Sequence, residues 1–173
     1  MSGALIKIDE EIVTSSVASV DLGGANWDSS YDVYVVKLNN VQAVTDETSL
    51  MLRVLKSSSA DSTANYDRAE KVLKAYGAFG DNYYTNGTEL IMESTGNAST
   101  DTVNSNLYLF NFNNSSEYSF LTYLHSTYTW FDETRGISGG AVHTVASASN
   151  GVQFFINSGN ISAGTFTLYG LKK

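Results

Sequence analysis

The chain has 173 residues with no cysteine, enough for one domain with a substantial core, and neither disulfides nor thiol-ligated metal can help to hold it. Ten basic against eighteen acidic residues give a net charge of −8, and the basic residues are scattered, which argues against nucleic acid, a partner that needs clustered cations. Apolar runs fall far short of the ~18–20 residues of a membrane span, so no membrane insertion is expected, and 54 Ser, Thr and Asn residues imply a surface of neutral hydroxyls and amides.

The first stretch, residues 1–12, carries acids where a signal peptide would carry its apolar core, so no export signal is expected. Residues 31–38 are apolar on both parities, with Tyr31, Val33 and Val35 on one and Tyr34, Val36 and Leu38 on the other, as in a strand covered on both faces. Clean alternation follows at Leu50, Leu52 and Val54. Residues 65–77 are ambiguous. Ala69, Val72, Leu73 and Tyr76 have helical spacing and Gly77 could cap, whereas Tyr66, Arg68, Glu70 and Val72 form a period-two set.

Beyond this segment, alternation returns at Tyr108, Phe110 and Phe112, at Tyr118, Phe120, Thr122 and Leu124, and at Val152, Phe154 and Ile156, and each set is expected to line one side of a core. Gly and Asn pairs, Gly139-Gly140 among them, punctuate the runs, and Asn86-Gly87 and Asn150-Gly151 are expected to make two-residue hairpin turns. The expected fold is all-β, an antiparallel, jelly-roll-like β-sandwich with at most one short helix. Residues 13–173 would form this single domain. With no proline to blunt edge strands, the edges must be covered, charged or paired, and pairing with another copy of the chain is favoured.

The residues that could carry chemistry are few. His125 and His143 lie in separate segments with no acid at ligand spacing and read as structural. Glu89 and Glu93 would share one side of an extended strand, but their Cα atoms would be about 13 Å apart at ~3.3 Å per residue, long for a glycosidase pair. Asp132 and Glu133 would point to opposite faces. The acid pairs Asp28 and Asp32, Asp46 and Glu47, and Asp132 and Glu133 match no twelve-residue calcium loop. Neither a catalytic site nor a cofactor or metal is expected. Trp27, Tyr83, Tyr84 and Trp130 could form a stacking platform for a sugar, although large aromatics more often serve cores and interfaces.

Three stretches carry a resemblance: residues 15–20 with 25–41, residues 50–55 leading to Ala64-Asn65-Tyr66-Asp67, and the closing Asn160-Ile161-Ser162-Ala163-Gly164-Thr165-Phe166-Thr167-Leu168-Tyr169-Gly170-Leu171-Lys172. Together they resemble β-sandwich virion proteins of tailed bacteriophages, marine and cyanobacterial ones especially, found in tail fibres, appendages and capsid surfaces. The resemblance implies that Tyr66 begins a strand, and that the chain is a non-enzymatic virion structural protein, a capsid-decoration or appendage module on the particle exterior, made in the host cytoplasm. Its implied partners are other virion proteins and further copies of itself, a trimer being one form. Residues 1–12 would then be the docking segment, with Leu5, Ile6 and Ile8 as its apolar side. The alternative is a receptor- or glycan-binding module of a tail fibre, recognising a host surface glycan.

Overall fold

The computed structural model describes residues 4–129 and 132–172. Thirteen strands follow in chain order: β1 (Leu5–Val13), β2 (Ser19–Gly23), β3 (Tyr31–Ala43), β4 (Thr48–Lys56), β5 (Ser59–Ala60), β6 (Tyr66–Lys74), β7 (Gly80–Gly87), β8 (Leu90–Thr95), β9 (Val103–Phe110), β10 (Ser119–Tyr128), β11 (Thr134–His143), β12 (Gly151–Ile156) and β13 (Ile161–Lys172). A single 3-10 turn, Gly24–Asn26, is the helical content of the described residues. The strands form an eight-stranded sheet in the order β1-β13-β3-β9-β10-β11-β6-β7, here sheet A, and a five-stranded sheet, β2-β12-β4 with β5 and β8 both on the far side of β4, here sheet B.

The pairings are nested. β1 pairs β13, β2 pairs β12, β3 pairs β9 and β4 pairs β8, all antiparallel, and successive pairs alternate between the sheets. A long hairpin wound over itself gives this order, so eight strands make a jelly roll, β1-β13-β3-β9 packed on β2-β12-β4-β8. Two insertions enlarge it. β5–β7 enter between β4 and β8, β10–β11 enter between β9 and β12, and four of these five strands extend sheet A beyond β9.

Of the alternating sets read from the sequence, Leu50, Leu52, Val54 and Val152, Phe154, Ile156 supply the core between the layers. Tyr108 and Phe110 of β9 and Phe120, Thr122 and Leu124 of β10 lie on the outer face of sheet A, their strands turning Leu107, Leu109, Leu121 and Tyr123 inward instead. Leu50, Leu52 and Val54 of β4 face Phe154 and Val152 of β12 within sheet B, and Tyr34, Val36, Leu38, Leu107, Phe166 and Leu168 close it from sheet A. Phe154 and Phe166 meet at 5.5 Å between ring centroids, and Trp27 stacks on Tyr34 at 4.0 Å. Tyr66, fully buried at the start of β6, ties the sheets together: its hydroxyl accepts the Val54 N–H of β4 and donates to the Asp61 carbonyl. Removing the aromatic would cost both packing and these two bonds.

The two glycines of the closing strand are close-approach positions, and the neighbours come from the same chain. A Cβ on Gly170 would run into the Tyr31 ring, and one on Gly164, whose φ is 141°, into Val41. β13 lies between β1 and β3, which makes the terminal strand internal to its sheet. The expectation that β3 is covered on both faces holds for one. Tyr34, Val36 and Leu38 are core, whereas on the outer face Val35 is buried, Val33 half-buried and Lys37 exposed.

Residues 65–77 resolve as strand β6 with its period-two set, Tyr66, Arg68, Glu70 and Val72, buried. Neither expected Asn-Gly hairpin forms. β7 belongs to sheet A and β8 to sheet B, so Asn86-Gly87 marks a crossing between layers, with Asn86 at φ 57° in a bulge against β6. Asn150-Gly151 likewise ends the crossing from β11 to β12. Gly139-Gly140 is no turn but the middle of β11. Among the described residues, a two-residue hairpin forms instead at Ser57-Ser58, both at positive φ, between Lys56 and Ser59.

Candidate functional site

Three features outside the hydrocarbon core could carry a function: the outer face of sheet A, a buried polar cluster behind it, and an Asp–His pair at the junction of the sheets. The outer face follows from strand parity. Asn104, Asn106, Tyr108 and Phe110 of β9 point outward, beside Phe120, Thr122, Leu124, Ser126 and Tyr128 of β10 and Gly136, Ser138, Gly140 and Val142 of β11. None of these side chains is charged. Ladder neighbours continue the apolar character from Phe110 through Phe120 to Val142, and from Tyr108 through Thr122 and Gly140 to Ala69 of β6. Small residues on β6 and β11 leave an open trough of about 560 Å³ whose apolar lining includes Ala69, Tyr83, Phe120, Gly140 and Val142. Tyr83 on its rim is 81% exposed. Lys71 pairs with Asp81 at 2.5 Å and Lys37 lies over the Tyr169 ring at 5.7 Å at the flanks of this face, and Asp67, which lines the trough beside Val142, accepts the Asn86 N–H at 2.8 Å.

Behind the same strands a polar cluster is set among the buried hydrocarbon of Leu107, Leu121, Ile137 and Val72. Glu70 accepts hydrogen bonds from the Tyr123 hydroxyl and the Asn82 amide, each at 2.8 Å, and pairs with the Arg68 guanidinium at 3.3 Å. Arg68 also donates to the Ile91 carbonyl of β8 and lies over the Tyr84 ring. Arg135 bonds Glu133 at 2.7 Å and stands 3.8 Å from Glu93, whose carboxylate accepts the Ser94 N–H. Burial raises the Glu93 carboxyl pKa, with the Ser94 N–H and Arg135 pulling the other way. Burial, reinforced by the neighbouring Glu70 carboxylate, also pushes the Tyr123 hydroxyl upward. Every carboxylate here is consumed by internal partners.

Both histidines are buried side chains of the ladder. His125 stacks on Tyr123 at 4.5 Å, shares a hydrogen with the Ser105 hydroxyl through Nδ1, and is pushed down to about 3 by burial and then by Arg68. His143 bonds Asp61 through Nε2 at 3.0 Å, and burial lowers its pKa against the pull of that carboxylate. For Asp61, burial alone would raise the carboxyl; hydrogen bonds from Lys56, Thr63 and His143 hold it well below the usual range. This is an inter-sheet clamp, fastening the β4–β5 hairpin to β11. The sequence gives no cue to it, because Asp61 and His143 are 82 residues apart. The two histidines do not meet: His125 faces Ile137 in the β10–β11 ladder, six residues from His143.

The remaining sequence-predicted residues are dispersed. Trp27 is a core residue and leaves no face for a sugar. Tyr84 is partly buried, donating to the Glu89 carbonyl and accepting the Ile91 N–H, while Tyr83 points outward from the same strand. Trp130 lies outside the described residues. Of the platform aromatics among the described residues, Tyr83 alone is exposed, and its structural neighbour is Phe120. Glu89 precedes β8 and pairs with Arg53 at 2.8 Å, whereas Glu93 is buried, so the two do not flank a common groove. Among the described residues no three of His, Asp and Glu converge as a metal site would require.

Leu5, Ile6 and Ile8 do not share one side, and they do not lie on a free arm. β1 is hydrogen-bonded to β13 through to Val13, past the expected boundary at residue 12, and Asp9 accepts the Gly23 N–H at 2.9 Å. Leu5 and Ile6 are exposed on alternate faces, and Ile8, at a bulge, packs partly against the core. Comparison with protein-family models, with curated proteins and with solved structures finds no match.

Proposed function

We propose that this chain is a non-enzymatic structural protein of a bacteriophage particle, a capsid-decoration or appendage module on its exterior, that works by fitting against neighbouring polypeptides. The observation that carries the reading is the broad, charge-free outer face of β9, β10 and β11. Such a face loses no ionic solvation when covered and gains free energy from its aromatics and leucine, the composition of an interface core. Two further points support it. The acids that a hydrolase would need are tied up inside the sheet extension, and the closing strand on which the phage resemblance chiefly rests is an internal strand of the jelly roll.

Mass spectrometry of purified particles of a phage encoding the chain tests the proposal. Several copies per capsomer are expected for decoration and about a dozen per particle for an appendage; absence from the particle rejects the assignment. For docking, Leu5 and Ile6 at the exposed end of β1 are the accessible candidates, and Leu5→Asp should reduce particle association without loss of folding.

A tail-fibre module that binds host glycan is the second reading, favoured by Tyr83, whose exposed ring stands near Asp67 and Thr85 at the trough. Binding of the isolated protein to host surface polysaccharide that disappears in Tyr83→Ala would support it. Undiminished binding in that variant would remove the trough as the glycan site.

A further inference from the structure

The outer face of sheet A is shaped to receive a copy of itself. We infer that two copies of the chain pair face to face through β9, β10 and β11 about a two-fold axis. This deepens the reading of that face as a protein-contact surface, and it does not depend on the phage assignment.

Edge pairing, the route the missing prolines suggest, is blocked on this sheet. β1 carries Lys7, Asp9, Glu10 and Glu11 and is bulged at Ile8; β7 carries Asp81 and is bulged where it meets Tyr66 and Arg68. Charges and bulges are what keep edges from adding strands. The face lacks both defences.

Area is sufficient. Tyr83, Tyr108, Phe120, Leu124, Tyr128 and Leu73 are each between 38% and 81% exposed. At ~200 Å² for a fully exposed aromatic and somewhat less for leucine they present roughly 600 Å² of apolar side chain. With the Thr, Ser, Asn and Gly positions between them, the face reaches the ~800 Å² per partner of a standard interface.

The charge pattern selects the occupant. An ionic partner would find nothing to pair with on the three strands, whereas a second copy brings the same uncharged surface. Where the contact reaches β6 and β7, Lys71 is paired with Asp81 within its own copy and the Asp67 carboxylate already accepts the Asn86 N–H, so most of the charge of −8 lies away from the contact. Shape agrees. Leu124, 60% exposed, stands about 7 Å along β10 from Thr122 at ~3.4 Å per residue. Thr122 is beside the glycine-floored trough. A two-fold axis lying in the face and crossing β10 between these residues sets each Leu124 over the trough of the other copy, an isologous knob-and-hole contact.

The test is sedimentation of the full chain across micromolar to sub-millimolar concentrations. Wild type should run at twice the 18.7 kDa chain mass. Leu124→Lys and, independently, Asn106→Lys, each an exposed position opposite the other in the ladder, should raise the dimer dissociation constant roughly 100-fold or more by burying an unpaired cation in each copy. Gln153→Lys, on the outer face of sheet B, should leave it unchanged. Circular dichroism should show all three folded. A monomeric wild type overturns the inference, even if another virion protein or a glycan proves to cover the face. So does an odd-numbered ring, or an assembly that keeps its mass with both lysines. Particle composition is measured separately, so the failure of one idea leaves the other standing.

Discussion

The jelly roll buries its inner face chiefly with hydrocarbon, whereas its extension mixes hydrocarbon with a network of buried polar groups. In the jelly roll, Leu22, Leu50, Leu52, Phe154, Phe166 and Leu168 fill the space between two complete layers with hydrocarbon, and none is measurably exposed. In the extension, Arg68, Glu70, Tyr123, His125 and Arg135 share the corresponding face of β6, β10 and β11 with Val72, Leu121, Ile137 and Ala141, and Glu93 of β8 lies opposite. Sheet B is too narrow to cover four additional strands, so long polar side chains close the gap, their charges neutralising one another. A hydrophobic layer lowers the free energy wherever it is well packed; a polar one does so only while each group keeps its partner.

The largest difference should appear on truncation in each region. Phe154→Ala opens a cavity in the hydrocarbon layer and should cost about 4 kcal/mol, lowering the midpoint of thermal unfolding by about 10 °C. A loss below about 1 kcal/mol in denaturant titration would mean that the jelly-roll core is looser than its packing indicates.

The extension should instead respond to charge. Glu70→Leu strands the buried Arg68 guanidinium and should cost about 3 kcal/mol, while the double change Arg68→Met with Glu70→Leu should recover at least half of that, because no lone charge is left behind. If the double variant is as unstable as the two single losses added, the pair is not coupled, and the contrast between the regions fails at that point.

The smallest effect is the acid response. An unfolded histidine has a pKa near 6.5, whereas folded His125 is held at about 3, so below pH ~6.5 the unfolded state takes a proton that the folded state refuses. Stability due to His125 is therefore complete above that pH and is lost on acidification toward pH 3, at about 1.4 kcal/mol per pH unit. His143, also lowered, adds in the same direction; Glu93, raised by burial, opposes, since its neutral form is favoured in the folded state. His125→Gln should narrow the stability gap between pH 7.5 and pH 5 by about 2 kcal/mol, measured by urea unfolding at both. An unchanged gap would place the acid sensitivity elsewhere, at the Asp61–His143 clamp first.

Much of the strand content was legible because sheets buried on one side alternate, as β9, β10 and β12 do over their core positions. Alternation does not say which parity is inside: on β9 and β10 the aromatic set that reads as core is the outer one, and on β4 Met51 and Leu55 are buried with Leu50, Leu52 and Val54. β6 was obscure for a physical reason. Its inward residues include Arg68 and Glu70, which a hydrophobic pattern assigns to solvent, and its outward residues Ala69 and Leu73 belong to an apolar outer face, so the apolar positions fell at helical spacing by coincidence. The Asn-Gly pairs misled in the same way. Positive φ is a local property that Asn86 does adopt, but whether a turn returns the chain to its own sheet or carries it to the other is set by which strands are already paired.

The amino-acid order alone determined that this is a β protein without thiol chemistry and that its charge is negative and dispersed. Those traits are local, or are sums over the chain. The nesting of β1–β13 around β2–β12, the four-strand extension, the Asp61–His143 clamp and the uncharged face of β9 to β11 were decided by tertiary structure. A face is made of residues brought together from several strands by ladder register, and register is a relation between distant segments that no single stretch of sequence contains.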